Sequence, residues 1–198
     1  MDDKTMRWDF SDVTDSEEAA RLGRLYPIVL REHTDAWAEW FLKEKVFLVS
    51  VFGDNVIRIN HIGSTAVPGL LAKPTVDILL EISDDVDLVP ITETMTSAGY
   101  IVNTPEKDLI MYIKGYGSHG FDGQTAHIHV RRGGDWGEVY FRDYLIVHAE
   151  AAEEYAALKR ELKEKFEHDR DEYTAAKGKF VEAYTALARE EFADRYKP

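Results

Sequence analysis

Apolar and polar positions alternate along the middle of the chain. From Thr75 to Ile82, Val76, Ile78, Leu80 and Ile82 fall on one face and Asp77, Leu79 and Glu81 on the other, the period of a strand. Val56 to Ile62 alternates in the same way and is rich in branched residues. Tyr100–Asn103, Leu109–Lys114 and Ala126–Arg131 predict further strands. In the last of these, Ala126, Ile128 and Val130 share one face, while His127, His129 and Arg131 share the other. On both sides of this block the period lengthens to that of a helix. Thr14 and Glu17 form a capping-box pattern at the start of a short helix that ends before Pro27. A second helix runs from Thr34 towards Gly53, with Trp37, Phe41, Leu48 and Phe52 on one stripe and Trp40 beside it, all expected in the core. Leu88 to Ala98 predicts a helix stopped by Gly99. Beyond Trp136, Tyr155, Leu158, Leu162 and Phe166 and then Tyr173, Phe180, Tyr184 and Leu187 keep spacings close to a helical turn.

These elements predict an α/β (α+β) protein with a mixed β-sheet, flanking helices and a C-terminal helical cover. The chain has 198 residues, enough for one sizeable core. No Pro- or Gly-rich linker divides it, so the reading is an acidic N-terminal extension over residues 1–25 and one domain over 26–198. Seven of the thirteen glycines lie between Gly115 and Gly137, which predicts a loop-rich region around the last strand. With 37 acidic and 24 basic side chains the net charge is −13, which argues against a long nucleic acid as partner. A small anion needs only a local pocket. Cysteine is absent, which excludes disulfides, thiol chemistry and Cys-based zinc sites. No signal-peptide pattern and no apolar run of spanning length is found, so a cytoplasmic protein with no membrane partner is expected.

Chemistry concentrates between His61 and Ile82. Gly63-Ser64-Thr65 follows a strand and turns into a short helix, a geometry that aims backbone N–H groups and a hydroxyl at an anion. Lys73 adds a cation, and Asp77 stands mid-strand, where a carboxylate suits a divalent ion. The alternative is a capped turn with a salt-bridged Asp. His127 and His129 project to one face of their strand, which suits a zinc-like or manganese-like ion shared with Asp77, or proton transfer near neutral pH. The alternative there is hydrogen bonding to Asp77 or to loop carbonyls. His61 is a further candidate for this group. Glu81 shares the face of Asp77 but lies about 14 Å along the strand, too far to hold the same ion. Arg142 is a candidate phosphate or carboxylate ligand, or else a structural partner of Asp143 or Asp169. Tyr155/Lys159 and Tyr173/Lys177 both read YxxxK. Without a Gly-rich dinucleotide turn they are expected to pack the helices on the sheet or to close one rim of the pocket. Lys73, Arg131 and Arg132, three of the five basic residues between 61 and 137, are expected beside that pocket.

Gly63-Ser64 after a strand and Asp77 on the next one resemble the nucleotidyltransferase fold, whose members carry a pair of acids two positions apart. Here Thr75 and Leu79 flank Asp77 at that spacing, so the pair is incomplete. HIGSTAVPGLLAKPTVDI, the HIHV at 127–130 and the FRDYL at 141–145, with the helical tail, resemble more specifically the GrpB family. That nucleotidyltransferase-like family also occurs fused behind dephospho-CoA kinase. The resemblance implies a phosphorylated small molecule as partner, a nucleotide or a CoA-related compound. The residues read above supply its pocket: a catalytic and metal set of Asp77, His127 and His129 with Mg, Mn or Zn, and ligand contacts from Gly63, Ser64, Thr65, Lys73 and Arg142. Metal-dependent nucleotidyl or phosphoryl transfer is one expectation. A non-catalytic binding or scaffold module with a degenerate pocket is the other, and whether the chain is an enzyme stays open at this point.

Overall fold

The computed structural model describes residues 16–106, 109–193 and 195–197. Thr14 of the capping-box pattern lies outside them. The chain opens with α1 (Ser16–Leu25) and α2 (Ala36–Phe52), followed by β1 (Val56–Ile62) and β2 (Thr75–Ile82). Next come α3 (Leu88–Ser97), β3 (Ile101–Glu106), β4 (Leu109–Gly117) and β5 (Gly120–Arg132). Four helices close it: α4 (Gly137–Val147), α5 (Ala149–Phe166), α6 (Arg170–Ala176) and α7 (Gly178–Phe192). The sheet order is β1-β2-β5-β4-β3, antiparallel except for the central pair β2–β5. A parallel pair cannot be joined by a tight turn. Here α3 and the β3–β4 hairpin make the crossover.

The alternation in β2 and β5 decides which helices go where. Val76, Ile78, Leu80 and Ile82, with Ala126, Ile128 and Val130, pack against Leu48 and Phe52 of α2 and Ile91 and Met95 of α3. On the opposite face Leu79 packs against Val139 and Tyr140 of α4 and Ala188 of α7. The expected α/β architecture with a C-terminal helical cover is therefore present. No helix among the described residues is long and apolar enough to cross a membrane.

Two local features differ from the sequence reading. The glycine-rich stretch lies largely within strands: β4 and β5 extend to a two-residue tip between Gly117 and Gly120. Gly115 sits at a register shift with φ +86°, the bulge position that spares a side chain a left-handed backbone. After Gly63 there is only a three-residue 3-10 turn, Ser64–Ala66, too short to develop a helix dipole aimed at an anion.

The helix-covered face of the sheet carries charge at both ends, and at one end the charges are paired. Glu81 is 1% exposed, and its carboxylate accepts from Arg58 Nη2 at 2.6 Å and from the Gly134 N–H at 3.1 Å. On β5, Arg131 pairs with Glu138 at 2.7 Å. Removing one member of a buried pair strands the other, whereas replacing both by apolar residues relieves the desolvation cost. We expect Arg58→Ala to lower unfolding stability by about 3 kcal/mol and Arg58→Met with Glu81→Leu to recover most of that loss. Urea titration of the single and double variants checks this; an unstable double variant would show that the ion pair itself is the source of stability.

Candidate functional site

At the other end of the same face the polar groups meet a cavity. The parallel register sets Asp77 opposite His127 and Leu79 opposite His129. Asp77 Oδ1 lies 3.1 Å from His127 Nδ1 and 3.7 Å from His129 Nε2. His127 Nε2 lies 2.7 Å from the Tyr116 hydroxyl, which in turn accepts from Arg170 Nη2 at 3.3 Å. One protonation pattern satisfies every group: Arg170 donates to Tyr116, Tyr116 O–H to His127 Nε2, and His127 Nδ1–H to Asp77. Burial pushes His127 below the usual imidazole range, against the pull of Asp77, so this ring is neutral at pH 7. Burial alone would raise the Asp77 carboxyl. The hydrogen bonds from His127 and His129 outweigh it and hold the group ionised, well below the ordinary carboxylate range.

The turn after β1 is shaped to this carboxylate. Gly63 has φ +71°, and a Cβ there would stand 2.6 Å from Asp77 Oδ2. Thr65 Oγ1 donates to the Thr75 carbonyl at 3.0 Å and lies 3.0 Å from His61 Nε2, so His61 donates to it. His61 stacks on Phe41 and does not line the cavity; burial lowers its pKa to about 4. It is a neutral brace for the turn. Thr75, at the position of a possible first acid, hydrogen-bonds Thr125 Oγ1 at 2.9 Å, and Leu79, at the other, is in the core.

The cavity encloses about 390 Å³. It brings together Gly63, Ser64, Thr65, Lys73, Asp77, His127 and His129 of the expected set. It does not bring in Arg142, whose guanidinium pairs with Asp143 at 2.6 Å and donates to the His61 carbonyl at 2.9 Å and to Tyr196 Oη at 2.9 Å. Arg142 thus ties α4 to β1 and to the C-terminal residues. Arg131 and Arg132 are also placed elsewhere: Arg131 faces Glu138, and Arg132 donates to the carbonyls of Ser83 and Val86.

The cations that do enter come from the C-terminal helices. Lys159, Arg170 and Lys177 line the cavity with Lys73, against only two carboxylates among the described residues, Asp77 and Asp171. None of these four cations forms a salt bridge with a carboxylate among the described residues. They lie over aromatic rings instead: Lys73 and Lys177 at 5.4 and 4.5 Å from the Tyr173 ring centre, and Lys159 at 4.6 Å from that of Tyr155. Lys159, 2% exposed, donates to Ser64 Oγ at 3.1 Å and to the Leu71 carbonyl. Burial lowers Lys159 to about 7 and Lys177 to about 8, and pushes Lys73 well below its ordinary value. The YxxxK spacing was the signal for two of these lysines, since each Tyr and Lys share one helical face. Arg170 belongs to the helical tail that carries the family resemblance, and nothing in the sequence pattern marked Tyr116.

Asp77, His127 and His129 each offer one ligand atom within 4.8 Å of the others. Two imidazoles and one carboxylate fit a borderline divalent ion such as Zn, Mn or Fe(II); an ion on His127 Nδ1 would shift that ring's proton to Nε2, which would then donate to the Tyr116 hydroxyl and so orient the ring.

A mixed five-stranded sheet with helices on both faces, and a Gly-Ser turn facing an acidic residue on the next strand, make an α/β protein consistent with the nucleotidyltransferase-like fold. The family model "GrpB protein" matches residues 27–187, and the chain belongs to the GrpB family. It is 33% identical to UPF0157 protein YqkA of Bacillus subtilis over 87% of this chain but only 50% of that protein's length. It is 32% identical to glutamate-rich protein GrpB of Alkalihalophilus pseudofirmus over 78% of this chain and 92% of the relative. A weaker relative is a dephospho-CoA kinase of Mycolicibacterium paratuberculosis, 26% identical over 66% of this chain and 38% of the kinase. The crystal structure of GrpB from Enterococcus faecalis has the same fold, with a TM-score of 0.74 at 24% identity, covering 83% of this chain and 99% of that one.

The close approach of Gly63 to Asp77 is testable by itself. We expect Gly63→Ala to cost about 2 kcal/mol from backbone strain and the clash with the carboxylate. In an Asp77→Gly background the same change should cost less, because only the strain remains. A double-mutant cycle in urea measures the difference; strict additivity would show that the two residues do not touch.

Proposed function

We propose that this protein binds a phosphorylated small molecule in the cavity, with a divalent ion held by Asp77, His127 and His129. The observation that carries the reading is the set of four cations without carboxylate partners on one cavity, in a chain whose net charge is −13. Uncompensated buried amines are costly, and a polyanion is the ligand that compensates them. An ion at the trio supplies Lewis-acid polarisation of a phosphoryl oxygen. Ser64, Lys159, Lys177 and Lys73 then orient the phosphate groups, and Arg170 holds Tyr116 against His127. The relation to a dephospho-CoA kinase and the nucleotidyltransferase-like fold support a nucleotide or a CoA-related compound as the ligand class.

A second reading, a binding module without turnover, is favoured by Thr75 and Leu79, which leave the paired carboxylates of two-ion transfer incomplete. A thermal-shift and calorimetric screen of nucleotides, CoA intermediates and tripolyphosphate, with and without Mg, Mn and Zn, tests both. Lys159→Met and Lys177→Met should each weaken binding of the best ligand about tenfold, and Asp77→Asn should remove its metal dependence. Unchanged affinity in the lysine variants would sink the phosphate reading. Metal-dependent turnover lost in Asp77→Asn would remove the module reading.

The lysines also fix a pH dependence. Facing Lys159 and Lys177 are Lys73, Arg170, Asp77 and Asp171. In the free protein the cost of burying protonated Lys159 is present in full below pH 7 and is relieved as pH rises from about 7 towards 10.5. A bound anion raises both lysine pKa values, so binding takes up protons. We therefore expect tripolyphosphate affinity to fall as pH rises through about 7 and then about 8. Calorimetry in buffers of different ionisation enthalpy should show net proton uptake at pH 7.5; net proton release would contradict it.

A further inference from the structure

A second cavity adjoins the cation-lined one. About 470 Å³ of space lies between α2 and the start of β2 and β5, and Lys73, Thr75 and Arg170 line both cavities. Past those three residues the character changes from cationic to apolar and aromatic: the walls include Pro27, Trp37, Trp40, Pro74 and Phe121. Trp37 is buried in the core, while Phe121 is among the exposed large apolar side chains, so one wall is fixed and the other is open. Arg31, Thr34 and Thr125 also line it, and Gln124 adds an amide. Gln124 Nε2 is buried and has no hydrogen-bond partner. A buried amide N–H without an acceptor is costly, and an acceptor on a ligand would satisfy it.

We infer that this second cavity receives the heteroaromatic base of a nucleotide whose phosphates occupy the cation-lined cavity, with Gln124 donating to a ring nitrogen or carbonyl of the base. The inference rests on the phosphate-binding reading above and adds to it the organic part of the ligand. Flat apolar walls beside one fixed donor suit a planar ring that carries an acceptor. The shared residues place the ester linkage: Lys73 and Arg170 face both halves of the ligand, and Thr75 lies at the junction.

Binding of tripolyphosphate and of the four ribonucleoside triphosphates to the full chain, followed by calorimetry with manganese present, tests this. At least one nucleotide should bind tenfold or more tighter than tripolyphosphate, about 1.4 kcal/mol. Gln124→Leu should erase most of that advantage and leave tripolyphosphate affinity unchanged. If tripolyphosphate binds as tightly as every nucleotide, the base site is wrong and the phosphate reading stands. Tighter binding of 4′-phosphopantetheine than of any nucleotide would likewise overturn the base assignment. If neither tripolyphosphate nor any nucleotide binds, both readings fall.

Discussion

The parallel pairing of β2 with β5 is the constraint from which the rest of the site follows. It fixes Asp77 beside His127, and because side chains alternate, it sends both to the face that α4–α7 cover. A charged group on a covered sheet face must find a partner or a solvent-filled space. Glu81 and Arg131 find Arg58 and Glu138. Asp77, His127 and His129 open onto the cavity between the sheet and the helices. A one-residue slip of β5 would exchange the two histidines for Ile128 and Val130, so the core of α2 and α3 and the candidate metal set are specified by one register.

The cations obey a different logic. Arginines with a structural role sit on carboxylates: Arg58 on Glu81, Arg142 on Asp143, Arg189 on Asp135. The cavity lysines sit on tyrosine rings. A cation–π contact holds an ammonium group in place without neutralising it. Tyr173, between Lys73 and Lys177, does this twice, and Tyr155 does it for Lys159. The consequence is a set of positioned amines that no carboxylate has claimed and that a ligand can use.

Much of this was legible in the sequence because it is local. Strand alternation gave the faces of β2 and β5, and the Gly-Ser turn with Asp77 and the two histidines marked one end of the site. What was not legible depends on tertiary placement. Arg142 looks like a ligand in isolation, but Asp143, Tyr196 and the His61 carbonyl absorb its donors. Arg131 and Arg132 are close to the histidines in sequence, yet they lie further along β5, at the end where the charges are paired. Arg170 and Tyr116 reach the cavity because α6 and the β4–β5 hairpin come together over it, and Tyr116 has no local signature. The glycines between 115 and 123 look like loop residues, although a bulged hairpin needs the same positive φ values.

The incomplete acidic pair and the surplus of lysines belong together on the proposed reading. Two-ion transfer places two ions on shared carboxylates to spread the charge of a reacting phosphate. In this chain Thr75 is committed to Thr125, and Leu79 is committed to the core, so a second ion has no carboxylate on β2 to hold it. A single ion at Asp77, His127 and His129 leaves the remaining phosphate charge to be met by side chains. Lys73, Lys159 and Lys177 line the same cavity as the sheet-borne trio, supplied by the loop before β2, by α5 and by the junction between α6 and α7. Lysines near neutrality in their pKa can take up a proton as the anion arrives and give it back as it leaves, which a fixed metal ion cannot do. Replacing an ion by titratable lysines therefore couples ligand occupancy to protons, and that coupling separates this pocket from a merely degraded two-ion site.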